Sequence, residues 1–374
     1  MRRLFFLGLF LSSFTAAAQS PDCECPATLR EVWTHLLPLP AFADRCTDGS
    51  CAETFTELYE DAIGARTDLA CYRLLSALVA TLRDNHTVIL GAGPDSLWMD
   101  RLGDGAQVPA DPAAERYRSN LGAFDLLLPP DGGEGVLLTA GGDTVAFLTP
   151  RGNDRYRYAG RWPYNGRLVT ITEQLRSGAF HHLGLRRDTT RTYHSRYPRS
   201  GEPYAYEQRT PDLGYLRLAT FHSYQPTLRE AEAFYATLPG QLGSGTLIVD
   251  LRDNTGGGDR NSDIVFTILK QHRKQYDAIY VLVNHGTTSN GEQFAVRLSK
   301  WKNVILAGER TRGMLAYELQ GRSEEVGCGK YILSMATRRH RKYLPYEITG
   351  VPVTLLLSAE QDWVEAIAEL SGKN

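Results

Sequence analysis

Apolar residues in the first third of the chain recur at intervals of three and four positions. Between residues 27 and 83 this spacing is clearest in Leu69, Tyr72, Leu75, Leu78, Val79 and Leu82. Such a period places apolar side chains on one face of a helix. The pattern therefore predicts an N-terminal helical region, which we assign to residues 19–90.

The pattern changes in residues 91–205, where Gly, Pro, Asp and Arg separate short apolar runs. Residues 135–138 and 145–148 are two such runs. Short apolar runs bounded by turn-forming residues are typical of β-strands. We expect a β-rich insert over this part of the chain.

Residues 206–374 alternate between strand and helix patterns. Strands are predicted at 216–221, 246–251, 278–283 and 304–306, and helices at 227–238, 262–272 and 292–300. Alternation of this kind implies parallel strands joined by right-handed crossovers, whose loops meet at one edge of the sheet. The predicted fold class is α/β, and we expect a functional site in those loops.

The first residues have the features of a secretory signal peptide. Arg2 and Arg3 precede an apolar run at residues 4–11, and small residues then lead to Ala18. We expect residues 1–18 to be removed and the protein to be exported, either to a periplasm or to the exterior. No later apolar run approaches the length that spans a bilayer, so no integral membrane segment is expected after signal removal.

Composition excludes several classes of protein. The 374 residues are 42% hydrophobic and 22% charged, which is ordinary globular usage, and the net charge of -2 provides no basic field for nucleic acid. Residues 151–209 nevertheless hold twelve arginines against five acids. We interpret these arginines as a solvated strand face, and docking of cell-envelope polyanions is the alternative.

Six cysteines in an exported chain predict disulfide bonds. Five of them lie within the first 71 residues and suggest a stapled helical region, whereas Cys328 lies far away. The pairing is left open. A metal site is not expected. Only one residue separates Cys23 from Cys25, whereas zinc knuckles have at least two residues between their cysteines, and no histidine pair follows at the spacing found in zinc fingers.

A glycine-rich loop, DNTGGG at residues 253–258, follows a predicted buried strand. Glycines let backbone N–H groups approach a ligand closely and point at developing negative charge, as an oxyanion hole requires. A plain glycine turn is the alternative. Phosphate binding is not expected, because no Gly-Lys-Ser/Thr follows.

A second loop, NHGTTSNGE at residues 284–292, places Ser289 between a strand and a helix. A hydroxyl at a helix N-terminus is well placed as a nucleophile. The alternative is that Ser289 is only an N-cap, with Glu292 completing a capping box. Its base is sought among nine histidines, of which His86 lies at a helix-to-strand junction. His285, four residues before Ser289, is a second candidate base and more simply a polar residue at a strand end.

Taken in order, five segments resemble the tail-specific (C-terminal processing) serine protease family, whose catalytic domain is shared with the tricorn protease core and with interphotoreceptor retinoid-binding protein modules. The segments are LRDNHT at 82–87, GYL at 214–216, VDLRDNTGG at 249–257, TSNGEQF at 288–294 and GERTRG at 308–313. The resemblance implies a crotonase-like catalytic core in which Ser289 is the nucleophile. It also implies an oxyanion hole made by backbone N–H groups of Gly256 or Gly257 together with Asn290.

One departure from the family sets the subtype. Members with a serine/lysine dyad carry lysine where this chain has Met314, and a thioether cannot take a proton. Tricorn-like members are instead expected to use a histidine, here His86, and a glutamate, here Glu347, shortly before the segment GVP at 350–352. Asn85 stands where the family usually has glycine, and it either orients His86 or makes the turn.

The resulting prediction is an exported serine peptidase that acts on peptides or unfolded proteins and needs no cofactor and no metal. Its catalytic residues are Ser289, His86 and Glu347. The alternative, from another class, is a non-catalytic module of the same fold that binds a ligand. The oligomeric state is left open.

Overall fold

The computed structural model describes residues 23–94, 113–119, 123–163, 165–180, 183–187, 190 and 202–372. The predicted signal peptide, residues 1–18, lies outside these residues. Among the described helices, none combines the length and the apolar character needed to cross a membrane. The described chain has a mixed α/β fold.

Four helices form the start of the described chain, as the apolar spacing predicts. They are α1 (Cys25–Leu36), α2 (Pro40–Arg45), α3 (Ser50–Gly64) and α4 (Asp68–Ala80). Thr67 is the N-cap of α4. Its side-chain oxygen Oγ1 accepts a hydrogen bond from the Ala70 N–H, one of the N–H groups in the first turn that have no partner within the helix. Leu29, Leu75 and most of the other apolar positions at this spacing are buried, and Leu69 is partly buried against the same core, so packing stabilises the helices.

A closed barrel follows. Its strands are β2 (Glu115–Ser119), β3 (Phe124–Leu128), β4 (Gly135–Thr139), β5 (Thr144–Gly152), β6 (Arg155–Arg161), β7 (Leu168–Arg176), β8 (Ala179–Phe180) and β9 (Leu185–Arg186). Consecutive strands pair antiparallel, and β2 pairs with β9 to close the barrel. Because side chains alternate along each strand, one set of apolar residues fills the interior, including Leu126, Leu148 and Tyr158.

A six-stranded sheet forms the α/β part of the chain. Its strands, in spatial order, are β10 (Tyr204–Thr210), β11 (Leu213–Leu218), β12 (Gly245–Asp250), β13 (Tyr276–Val283), β14 (Val304–Gly308) and β17 (Leu355–Leu356). Only the edge strand β10 is antiparallel to its neighbour, so β11 to β17 form a parallel run. This arrangement matches the alternation of predicted strands and helices.

Helices cover both faces of this sheet. They are α5 (Thr227–Thr237), α6 (Asp259–His272), α7 (Asn290–Leu298) and α8 (Trp363–Ser371). Val249 on β12 packs in the cluster that includes residues of α6 and α7, whereas its neighbour Ile248 packs with Trp363 of α8. A parallel strand buried on both faces explains why residues 246–251 are almost continuously apolar.

A small antiparallel sheet joins the two ends of the chain. It contains β1 (Val88–Gly91), β16 (Tyr331–Arg339) and β15 (Tyr317–Val326), in that spatial order. Ile89 on β1 is paired with Leu333 on β16. Since β1 follows His86 directly, this pairing holds the histidine loop against the C-terminal part of the chain.

Three disulfides account for all six cysteines. Cys25–Cys71 joins α1 to α4, Cys46–Cys51 closes a short loop, and Cys23–Cys328 reaches the turn between β15 and β16. Two of them therefore staple the helical region as expected. The third links that region to a segment 305 residues away.

We expect the long-range disulfide to contribute most to stability. Closing a loop of 305 residues restricts the unfolded chain far more than closing one of 5 residues. Replacing Cys23 and Cys328 by serine should lower the free energy of unfolding by about 5–6 kcal/mol, against about 2 kcal/mol for the matched replacement of Cys46 and Cys51. Urea unfolding of both double variants measures the difference, and equal losses would contradict the entropic argument.

Candidate active site

The glycine loop and the Ser289 loop lie in contact. They follow the neighbouring parallel strands β12 and β13, so both leave the same edge of the sheet. Gly256 has φ +84°, and a side chain there would place its Cβ 2.7 Å from Cβ of Ser289. Glycine at this position therefore permits both the left-handed backbone and the close approach of the two loops.

Ser289 adopts a backbone conformation that non-glycine residues rarely occupy. Its φ is 53° and its ψ is -125°, immediately before α7. Its N–H is directed at two acceptors, the Glu292 carboxylate at 3.1 Å and the Met314 carbonyl at 2.8 Å. Surrounding contacts, such as these two hydrogen bonds, can hold a residue in a strained backbone conformation. A sharp turn between a strand and a helix directs the serine side chain away from the sheet.

Both interpretations of Ser289 hold at once. Ser289 and Glu292 form a capping box at the start of α7, as the N-cap interpretation expects. The Ser289 Oγ also lies 3.1 Å from Nε2 of His86. An oxygen that accepts a hydrogen bond in a cap still has its own proton to donate, so capping does not remove the hydroxyl from chemistry.

His86 is held in a buried loop. Its backbone N–H donates to Asp84 Oδ1 at 2.8 Å, and its side chain is 4% exposed. Burial is the main cause that lowers the pKa of His86 to about 4, and the nearby His340 acts in the same direction. The imidazole is therefore neutral at neutral pH and able to accept a proton from Ser289.

Glu347 lies close to this histidine but contacts the surrounding backbone. Its Oε1 accepts the Asn85 N–H at 3.1 Å, and its Oε2 accepts the N–H groups of Leu315 at 2.9 Å and Ala316 at 2.7 Å. Nδ1 of His86 is buried and makes no hydrogen bond within the described residues. Glu347 is thus positioned to hold the loops on both sides of the imidazole.

Asp84 and Glu347 form a buried acidic pair beside His86. Burial and, second to it, the charge of Asp84 raise the pKa of Glu347 to about 8, against backbone hydrogen bonds that lower it. Burial also raises the pKa of Asp84 to about 6, against hydrogen bonds from Thr87 and His86 that lower it. The charge of Asp84 thus opposes a second charge on Glu347, and a single ionised member of the pair provides a negative charge near an imidazolium.

The same three side chains are the described residues whose spacing suits a metal ion. Donor atoms of Asp84, His86 and Glu347 lie within 4.8 Å of one another. The carboxylate oxygens, however, already accept backbone N–H groups or, at Asp84 Oδ2, the Thr87 hydroxyl at 2.5 Å. A network of this kind suits proton handling better than ligation of a hard cation, which prefers uncommitted oxygens.

The predicted oxyanion donors differ in availability. Gly256 donates its N–H to Asn254 Oδ1 at 2.8 Å, so it is the less available donor of the two glycines. The backbone N–H groups of Gly257 and Asn290 make no hydrogen bond within the described part of the chain. Asn290 is the first residue of α7, where orphan N–H groups and the helix dipole favour a negative charge.

The other predicted residues have structural partners. His285 places Nε2 3.0 Å from the carbonyl of Thr172, so it anchors the barrel and is not placed as the base. The Asn85 side chain donates to the Gly313 carbonyl at 2.8 Å and accepts from Thr172 at 3.1 Å. It therefore ties three segments together, and neither of these two hydrogen bonds goes to the imidazole. Met314 contacts Ser289 through its backbone carbonyl.

Arg155 was not singled out by the sequence. Its guanidinium extends from the barrel and donates to the carbonyls of Thr311, Arg312 and Ile348, beside the Ser289 and Glu347 loops. Arg155 and Arg157 are 3% and 9% exposed, so the solvated strand face is wrong for these two arginines. Their alternation with tyrosines does show that they share a face, but it does not show that the face packs on the rest of the chain.

We expect Arg155→Lys to destabilise the protein. A lysine ammonium lacks the planar fork that reaches three carbonyls, so buried acceptors lose their donors. The free energy of unfolding should fall by about 2–4 kcal/mol. Arg116→Lys is the matched control, because Arg116 is 52% exposed at 3.7 Å from Asp125. Chemical denaturation of both variants checks this, and equal small losses would contradict the role of Arg155.

No protein-family model matches the chain. A stretch of 123 residues is 34% identical to the chloroplastic C-terminal processing peptidase of Tetradesmus obliquus, and it covers 27% of this chain and 26% of that protein. The chain thus spans about a quarter of the length of the curated relative that it matches.

Solved structures of proteases are similar over most of this chain. The photosystem II D1 C-terminal processing protease is 17% identical at a TM-score of 0.40, covering 93% of this chain and 97% of its own. Mature CPAF is 11% identical at 0.46, covering 93% and 96%. The tricorn protease is 15% identical at 0.43, covering 94% and 37%. These identities and scores are too low to assign an activity to this chain.

Proposed function

We propose that this protein is a serine peptidase of the C-terminal processing type. The observation that carries the proposal is the distance of 3.1 Å between Ser289 Oγ and His86 Nε2, two residues 203 positions apart. A neutral, buried histidine against a serine on a strained strand-to-helix turn is the arrangement that activates a hydroxyl. The partial match to the algal C-terminal processing peptidase agrees with it.

The reaction begins when His86 accepts the Ser289 proton. The Ser289 Oγ attacks the carbonyl carbon of a peptide bond, and the resulting oxyanion is held by the N–H groups of Gly257 and Asn290. The imidazolium then gives its proton to the leaving amine, and an acyl-enzyme remains. Water, deprotonated by His86, releases the acyl group and restores the serine.

Glu347 acts as a positioning residue in this mechanism. Its hydrogen bonds to Asn85, Leu315 and Ala316 keep the histidine loop and the Met314 segment in register. With Asp84 it also provides a negative charge near the imidazolium that forms in the transition state. No step of this mechanism uses a metal or a cofactor.

The organisation of the chain is part of the proposal. The catalytic unit is residues 206–374 with a crotonase-like core, residues 19–90 supply His86, and residues 91–205 are an insert. Three disulfides favour an oxidising compartment and therefore export. The substrate is a peptide or an unfolded protein.

A peptide library tests the activity. Wild-type protein and the Ser289→Ala variant are incubated with a broad library, and new termini are identified by mass spectrometry. We expect cleavage by the wild type alone. If a folded wild type leaves a library untouched that a known peptidase digests, the proposal fails and a non-catalytic ligand-binding module takes its place.

We expect an unusually low acid limit of activity. A base must be unprotonated, so kcat/KM falls as pH drops through its pKa, and burial lowers that of His86 from 6.5 to about 4. Activity on an uncharged peptide should persist at pH 5, where an ordinary imidazole is almost wholly protonated. The Asp84→Asn variant removes the neighbouring titration and serves as the control. A midpoint near 6.5 in both proteins would contradict the buried, neutral histidine.

A further inference from the structure

A hydrogen bond that the mechanism does not use lies beside the two proposed oxyanion donors. Asp259 is the first residue of α6, and Asn290 is the first residue of α7. Oδ1 of Asp259 accepts a hydrogen bond from Nδ2 of Asn290 at 2.7 Å. This carboxylate therefore joins the start of one helix to the start of the other, next to Ser289.

The same hydrogen bond connects the two segments that carry the donors. Gly257 lies two residues before Asp259, and Asn290 carries the second donor on its own backbone. Among the described residues, it is the hydrogen bond that joins residues 255–259 to residues 289–292. The spacing between the two donor N–H groups therefore depends on it.

The glycine loop is held on its other side by Phe221. The Phe221 N–H donates to the Gly256 carbonyl, and the Phe221 carbonyl accepts the Gly258 N–H, both at 2.8 Å. A Cβ on Gly257 would lie 2.1 Å from the Phe221 carbonyl oxygen, so the two backbones are in direct contact. Because the loop is fixed in this way, Asp259 at its end can hold the start of α7 relative to it.

The amide of Asn290 is held in one orientation. Asn290 is 5% exposed, and its Oδ1 is buried without a hydrogen-bond partner in the described part of the chain. If the amide were turned over, this oxygen would face the Asp259 carboxylate, and two acceptors would meet without a proton between them. Asp259 therefore selects the orientation in which Oδ1 is unpaired.

This orientation is not explained by stability alone, because an unpaired buried carbonyl oxygen is destabilising. An asparagine amide without its partner can turn its oxygen to a backbone N–H group, as asparagine side chains do in caps and turns. The N–H groups of Gly257 and Asn290 have no partner of their own within the described residues. An amide oxygen bound to such a group would compete with the oxyanion for it.

Asp259 has no cationic partner among the described residues. Its neighbour Arg260 pairs with Glu232 at 3.2 Å instead. The first turn of α6 also favours a negative charge, because it is the positive end of the helix dipole. The Asp259 carboxylate is thus available to the Asn290 amide, and hydrogen bonds to carboxylates are stronger than those between neutral groups.

We propose that Asp259 is a positioning residue for the oxyanion hole. Its carboxylate holds the Asn290 side chain, and with it the first residue of α7, so that the N–H groups of Gly257 and Asn290 face one oxyanion. The inference rests on the proposed peptidase function and adds a residue that acts through another. Oxyanion donors are effective when they are in place before the charge develops.

The kinetics of Asp259→Ala test the proposal. With the best library peptide we expect kcat to fall about 10- to 100-fold and KM to stay within about threefold of wild type, because the oxyanion forms only in the transition state. Asp259→Asn should recover most of this loss, since the introduced amide oxygen can still accept the Asn290 Nδ2. A loss that appears in KM alone would overturn the positioning role.

Asp263→Ala is the matched control. Asp263 is an exposed acid on the same helix and also joins α6 to α7, through an ion pair with Arg297 at 2.7 Å. That pair lies at the end of α7 that is remote from the donors. We expect Asp263→Ala to retain wild-type kcat/KM, and equal losses in Asp259→Ala and Asp263→Ala would contradict the proposal.

A transition-state analogue separates positioning from general damage to the site. A peptide aldehyde forms a hemiacetal with Ser289 whose oxygen occupies the oxyanion position, whereas the corresponding peptide alcohol does not. In Asp259→Ala the inhibition constant of the aldehyde should rise by the factor by which kcat/KM falls, and that of the alcohol should change by less than about threefold. Equal changes for both inhibitors would overturn the assignment.

Asn290→Ala removes the same hydrogen bond from its other end and keeps the backbone donor. It tests the bond independently if thermal unfolding shows that Asp259→Ala is not folded. We expect kcat to fall about tenfold or more, since the donor is no longer held. The double variant should lose no more than the larger of the two single losses, because both changes break one interaction. Additive losses would contradict the link between the two residues.

The two proposals fail in different ways. Wild-type kcat in folded Asp259→Ala would overturn the positioning role and leave the peptidase intact. If the wild type cleaves no peptide of the library, the peptidase proposal fails, and the positioning role fails with it.

Discussion

Replacing Ser289 by alanine is expected to lower kcat/KM for peptide hydrolysis by about 10⁴- to 10⁶-fold. The change removes one oxygen, the atom that lies 3.1 Å from His86 Nε2. Without it no acyl-enzyme forms, and only substrate binding and the oxyanion donors remain to assist water. Rates with the best library peptide, at equal protein concentration, measure the loss.

Stability controls separate this loss from unfolding. Ser289→Ala also removes half of the capping box, which costs about 1 kcal/mol at a helix N-cap. Ser299→Ala is the matched control, because Ser299 lies at the other end of α7, is exposed and donates to the Val296 carbonyl at 3.0 Å. We expect Ser299→Ala to retain wild-type kcat/KM. Full activity in folded Ser289→Ala would exclude this serine as the nucleophile.

The His86→Gln variant is expected to lose about 10³- to 10⁶-fold in kcat/KM. Glutamine approximates the size of the imidazole but has no basic nitrogen, so Ser289 must lose its proton to water. The glutamine side chain fills most of the buried space that the imidazole occupied, which limits the loss of stability. Combining His86→Gln with Ser289→Ala should lower activity little beyond either single change, because residues that act as a unit are not additive.

His285→Gln is the control that distinguishes the two candidate bases. Its side chain can still donate to the Thr172 carbonyl, the partner of His285 Nε2 at 3.0 Å. We expect kcat/KM to remain within about tenfold of wild type, in keeping with a structural hydrogen bond. The opposite order, with His285→Gln inactive and His86→Gln active, would transfer the role of base to His285.

Elements of secondary structure were the most predictable part of this fold. Apolar spacing identified the helical start of the chain. The change to short apolar runs after residue 90 predicted the β-strands that form the barrel. Residues 246–251 were predicted as a buried strand and form β12, Gly245–Asp250. This part is predictable because burial of one face of a helix, or of one or both faces of a strand, requires apolar residues at regularly spaced positions. That spacing can be seen within a short segment of sequence.

The two loops of the candidate site were also within reach of sequence reasoning. Parallel strands place their C-terminal loops at one edge, so the glycine loop and Ser289 were expected near each other. The sequence did not show which of Gly256 and Gly257 has a free N–H group. That depends on the hydrogen bond from the Gly256 N–H to the Asn254 side chain, which only the structure shows. A local motif indicates that N–H groups are exposed by glycines, but not which of them remain unpaired.

Long-range contacts were decided by the tertiary structure alone. His86 was only one of nine histidines until the family resemblance selected it, and its distance from Ser289 depends on the pairing of β1 with β16. The Cys23–Cys328 disulfide and the burial of Arg155 have the same character. The sequence by itself thus determined helices, strands and the loops that carry polar chemistry. Only the tertiary structure determined which segment packs against each face, because the apolar pattern of one segment does not specify which distant segment it contacts.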